Sequence, residues 1–186
     1  MKKSIFILML VLIAYWNAYA YDKDRVHPLL NEKAALQSQN FISVLMSLGY
    51  KEQPPNDILT ASYVNGRRIK EWLQEGGKDE DSGSRSLNHF HDPTKIWNQS
   101  GLKNSSFGAS SLLWAQDQNS NTWSWLSAQN YYYQALTNSQ KTVREKNFAD
   151  TFQALGQVMH LLADASLPEH TRNDIHVFSW IDKELR

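Results

Sequence analysis

The longest helix-compatible run in the chain, Thr142 to Ala165, contains no proline and a single glycine. Phe148, Phe152, Leu155, Met159 and Leu162 recur along it at the spacing of one apolar helix face. A second stripe, Gly156, His160 and Asp164, runs beside the first at four-residue intervals. No lone helix can cover both stripes, so the rest of the chain must pack against them. Pro168 cannot continue the helix, and His170 follows at the turn where the chain leaves it. Two imidazoles and a carboxylate so close together suit a cation of borderline hardness such as zinc. Taken alone, a His-x3-Asp pair is also an ordinary hydrogen-bonded neighbour pair on a helix, and weight comes only from other ligands elsewhere in the chain.

The other segments read as helices and surface loops. His27-Pro28 opens a run to Gly49 with Leu30, Ala34, Phe41 and Leu45 at helical spacing; Pro28 suits a first turn and Gly49 a stop. After Pro54-Pro55, Asn56 or Asp57 caps a helix expected to run to Glu75, burying Ile58, Ala61, Ile69, Trp72 and Leu73, with Gly76-Gly77 ending it. Lys78–Pro93 is a polar loop with acids at one end and histidines at the other, a length that within a compact domain is usually functional or disordered. A Ser/Asn/Gly-rich surface stretch follows from Asn98 to Ser111, then a helix near Thr122–Leu136. With almost no Val/Ile alternation and no repeat, the expected class is all-α, one domain.

Residues 1–20 read as a signal peptide: Lys2 and Lys3, an apolar Ile5–Ala14 and an Ala18-Tyr19-Ala20 cleavage signature. The expected domain is then 21–186, exported to the periplasm or the extracellular space, with Tyr21 as its first residue. Loss of Lys2 and Lys3 leaves a formal charge of −2, which gives no basic field for long nucleic acid. The chain has no cysteine, so disulfides, thiolate ligands and a cysteine nucleophile are excluded. Any metal must be held by His, Asp, Glu or a terminal amine.

Two motifs occur together: Asn88-His89-Phe90-His91-Asp92-Pro93, and Gly156-x3-His160-x3-Asp164-x3-Pro168-x-His170. With His27 near the new N-terminus, they resemble the zinc-dependent phospholipase C family, which shares its fold with the single-strand-specific fungal nucleases. The resemblance spans nearly all of the mature chain. It implies an all-α helical bundle with up to three zinc ions, of a type that this chain would carry in C-terminally shortened form. One zinc would be held by Asp81, His89, His160 and Asp164; Asp81 is preferred over Asp79 because the family places a glycine five residues before this ligand, and Gly76 fits. Asp164 would bridge to a second zinc held by His27 and the backbone amine and carbonyl of Tyr21, where the family usually has tryptophan. The third would take His170 and His176, but Trp180 stands where the family has a glutamate, and Glu184 is the nearest glutamate.

The resemblance implies hydrolysis of a phosphodiester by a metal-activated water, with Asp81 and Asp164 as the catalytic carboxylates. A phospholipid is the favoured substrate, with peripheral membrane contact. Single-stranded nucleic acid on the same fold is the first alternative, and a non-catalytic, zinc-stabilised binding module with a degenerate third site is the second. Arg172 could clamp a phosphate with its planar guanidinium. His91 and Asp92 are expected to support ligands rather than bind metal. Glu80 is expected to be solvated and Arg85 to lie on the surface. No protein partner is inferable.

Overall fold

The computed structural model describes residues 24–173; Tyr21, His176 and the expected signal peptide lie outside them. The described chain is all-α with one small hairpin. Its helices are α1 (Val26–Gln37), α2 (Gln39–Ser47), α3 (Ile58–Ala61), α4 (Ile69–Asp79), α5 (Ser111–Trp114), α6 (Trp125–Thr137), α7 (Lys141–Asp164) and α8 (Pro168–Thr171). Short 3-10 turns cover Gly83–Asn88 and Trp97–Gln99, and a left-handed turn runs through Lys103, Asn104 and Ser105. Among the described residues, no helix is long and apolar enough to cross a membrane.

α7 is the central strut, with α4, α6 and α1 packed along it. Leu45, Ile58, Leu59, Val64, Ile69, Leu73, Ala149 and Phe152 form the buried core, with Phe41, Trp72, Phe148, Leu155 and Met159 closing over it. Full burial of each Leu, Ile or Phe contributes roughly 1.5–3 kcal/mol. Leu162 does not complete the apolar stripe and is 63% exposed. At that end of α7 the inward arc belongs to His160, Leu161 and Asp164, all buried.

Two expected helices are divided. The run after Pro28 breaks at Ser38, whose hydroxyl accepts from Phe41 N and starts a new helix; Ala35, not Ala34, is buried there, and Leu30 is exposed. The run from Asp57 is interrupted by a hairpin pairing Tyr63–Val64 with Arg67–Arg68. Asn65 and Gly66 sit at positive φ in its turn, the conformation that Asn-Gly favours, and a helix could not run through it. The polar loop is shorter than expected, because α4 reaches Asp79. Ser124 caps α6, which therefore begins at Trp125; Leu126 on it is exposed.

α4 and α7 touch backbone to backbone. A Cβ on Gly76 would run into the Gln153 carbonyl, and one on Gly156 into the Leu73 carbonyl. Asn31 fastens this crossing to α1, its amide donating to the carbonyls of Leu73 (3.0 Å) and Gly156 (2.8 Å). The close approach carries α1 and the end of α4 up to His160 and Asp164.

Candidate metal centre

His160 and Asp164 leave α7 one turn apart and are both buried. Around Asp164 the chain gathers imidazoles from three other elements. Oδ1 lies 3.3 Å from His27 Nε2 of α1. Oδ2 lies 2.8 Å from His89 Nδ1, 3.2 Å from His160 Nε2 and 3.3 Å from His170 Nδ1 of α8. Asp81, just past α4, completes the group: its Oδ1 is 3.6 Å from His89 Nδ1 and 3.8 Å from His160 Nε2. The His27 and His160 rings stack with centroids 3.7 Å apart.

Two of the rings are held from behind. His160 Nδ1 meets the Gly77 carbonyl at 2.6 Å, and His89 Nε2 meets the Glu80 carbonyl at 3.2 Å. A carbonyl oxygen only accepts, so each of these nitrogens carries a proton. His160 Nε2 and His89 Nδ1 then face the Asp164 carboxylate, another acceptor. Either a proton or a cation must stand between ring and carboxylate, and a cation would leave both rings neutral with their lone pairs aimed at it.

The electrostatics divide the stacked pair. Burial opposes charge on His160, but the Asp164 hydrogen bond and charge, then Asp81 and the Gly77 carbonyl, outweigh it and raise its pKa. His27 is lowered to about 4, first by burial and then by His160, against the pull of Asp164 and Asp81. Its ring is neutral at ordinary pH, the form that binds a metal. Burial also opposes charge on Asp164, yet hydrogen bonds from His160 and His89 hold its carboxyl well below the usual carboxylate range.

Three overlapping ligand sets result, each with donor atoms within 4.8 Å of one another: His27, His160 and Asp164; Asp81, His89 and His160; His89, Asp164 and His170. Asp164 belongs to two sets and offers a different oxygen to His27 than to the others. Imidazole nitrogens with carboxylate oxygens are the donors that zinc and neighbouring divalent metals take. These buried sets could hold a metal ion.

The structure thus brings His27, Asp81, His89, His160, Asp164 and His170 together. Asp79 stays outside: its carboxylate accepts from Gln153 Nε2 at 3.0 Å, and burial raises its pKa. Arg172 caps α8 with its side chain exposed. His91 turns away, its Nδ1 meeting Ser110 Oγ at 2.8 Å. Asp92 does not reach a ligand imidazole; its carboxylate closes a turn on Thr94, accepting from both N (2.9 Å) and Oγ1 (2.7 Å).

Two expectations are overturned beside the ligands. Glu80 is completely buried rather than solvated, and Arg85 folds inward to it. Glu80 Oε2 accepts from Arg85 Nε (3.1 Å) and Nη2, and Oε1 from Trp114 Nε1 at 2.8 Å. A carboxylate is buried at such a place only when paired, and Arg85 pairs it. Sequence reasoning missed these residues and also Asn31. Asn31 had a signal, since it lies one turn after His27 on the same helix face; Trp114, far along the chain, had none.

No protein-family model, no curated protein and no solved structure matches the chain.

Proposed function

We propose that the protein is an exported, zinc-dependent phosphodiester hydrolase of the phospholipase C kind, with phospholipid as its substrate. The observation that carries this reading is Asp164, whose two oxygens face different imidazoles while the far nitrogens of His160 and His89 are tied to carbonyls. His27 and Asp164 would hold one zinc, and Asp81, His89 and His160, with Asp164 shared between the two, another. His170 would begin a third set, completed by His176, with Tyr21 joining the first through its backbone. Bound there, zinc would act as a Lewis acid toward water and toward the oxygens of a phosphodiester. Asp81 is the most solvent-accessible of the two cluster acids, its side chain 24% exposed. It would orient the attacking water and take its proton, while buried Asp164 would hold the cluster together.

Lipid is favoured over nucleic acid by the absence of a basic field and by the apolar flank of the ligand loop. Trp97, 53% exposed, packs edge-on against His91, and Ile96 beside it is 63% exposed. These side chains would contact a membrane surface peripherally. The non-catalytic reading is favoured by one feature, the tryptophan at position 180 where a third ligand set would need an acid.

The test is zinc-loaded protein beginning at Tyr21, assayed on short-chain phosphatidylcholine and on single-stranded DNA, with and without chelator. Turnover of the lipid that stops with chelator and returns with zinc is expected. Turnover of DNA alone makes it a nuclease, retained zinc without turnover makes it a binding module, and turnover indifferent to chelator contradicts the metal mechanism.

A further inference from the structure

Glu80 is a buried carboxylate that belongs to none of the ligand sets, yet it touches two ligands by position. Asp81 is the next residue, and the Glu80 carbonyl receives His89 Nε2. Its own carboxylate, with Oε1 3.8 Å from that same nitrogen, sits behind the ring on the side away from Asp164. The carboxylate is closed into a ring of side chains. Arg85 grips it and also donates to Asn121 Oδ1 at 2.9 Å; Asn121 Nδ2 donates to the Trp114 carbonyl at 2.8 Å; Trp114 Nε1 returns to Glu80. The Arg85 guanidinium lies over the Trp114 ring, 5.1 Å from its centre.

The 3-10 turn that joins Asp81 to His89, Gly83–Asn88, contributes no buried residue to the core; Leu87 meets Gly108, and the turn is otherwise held by polar contacts. The Glu80–Arg85 grip spans this turn from the inside, and Asn88 Oδ1 ties its far end to Ala109 N at 2.8 Å. We infer that the Glu80–Arg85 pair, locked by Trp114 and Asn121, is the positioning device of the metal centre: it sets the direction of Asp81 and fixes His89 with Nδ1 toward the cation. This rests on the metal-binding reading. Ligands must be held to within about half an ångström, and that hold comes from groups one layer out.

The experiment uses the chain from Tyr21 with Glu80→Gln, Arg85→Met and the two combined, and cobalt(II) as the probe. Cobalt affinity, the visible absorption bands of the bound ion and the melting temperature of the metal-free protein are measured for each. Positioning predicts that affinity falls roughly 10–100-fold with shifted bands in every variant. The double variant leaves no buried charge unpaired, so its melting temperature recovers while affinity and bands do not. If the single variants fail to fold, the double variant alone carries the test. Wild-type affinity and bands in the folded double variant overturn the inference and leave the pair as a stability element. An Asp164→Asn protein that binds cobalt like wild type shows instead that the metal reading has failed, and the inference falls with its premise.

Discussion

Two buried carboxylates lie on opposite sides of the His89 ring, and the fold treats them in opposite ways. Glu80 is answered by a permanent cation and an indole N–H, donors that do not come and go with pH. Asp164 is answered by histidines, whose donors come and go with protons. The first arrangement is finished; the second is complete only with protons or a cation in place. A buried carboxylate is therefore not by itself a sign of function. What its neighbours can supply decides.

The largest effect should come from removing a ring shared by two ligand sets. His160→Ala should lower zinc affinity by more than about 100-fold, beyond what groups behind the ligands contribute. Calorimetric titration showing unchanged affinity would put the Asp164 cluster in the same class as the Glu80 pocket. On the other side of His89, Arg85→Met should cost about 3 kcal/mol in urea unfolding of the metal-free protein, since it strands a buried charge. A cost under about 1 kcal/mol would mean that Glu80 does not depend on its cation, and the contrast would collapse.

A third effect is pH-dependent. His27 is neutral in the fold down to about 4 but protonates near 6.5 when unfolded. The unfolded chain binds the extra proton between those values, so the metal-free protein should lose stability as pH falls through that window. The loss attributable to His27 is on the order of 3 kcal/mol. His160, raised instead, adds stability at low pH and loses it as pH rises, so the comparison must be against His27→Gln, which retains His160. Parallel stability curves for the two proteins between pH 6.5 and 4 would show that His27 is not held neutral. The smallest effect belongs to Asp79→Asn. It should leave zinc affinity within about twofold, because its carboxylate faces Gln153 and not the cluster. A tenfold loss would exchange the roles of Asp79 and Asp81.

His160, Asp164 and His170 were legible as a group because their signal is local. Four-residue spacing on α7 puts His160 and Asp164 on one face, and Pro168 sets the turn that brings back His170. The all-α class was legible from the same periodicity. The hairpin at Asn65-Gly66 had a readable turn signal, but apolar spacing on both sides of it imitated one helix. Leu162 misled because spacing defines a face of a helix without saying where its partners end. The Glu80 pocket could not be read at all: its character depends on Trp114 and Asn121, 34 and 36 residues from the groups they bind, and a run of Lys-Asp-Glu-Asp looks solvated until they are placed.

The central claim, that Asp164 and its histidines form a cation site, is tested most directly by counting zinc. Wild type and Asp164→Ala, both beginning at Tyr21, would be loaded with zinc, freed of excess by gel filtration and analysed for metal per folded chain. At least one zinc should be retained by wild type and none by the variant. Equal zinc in the two, or none in wild type, would contradict the claim.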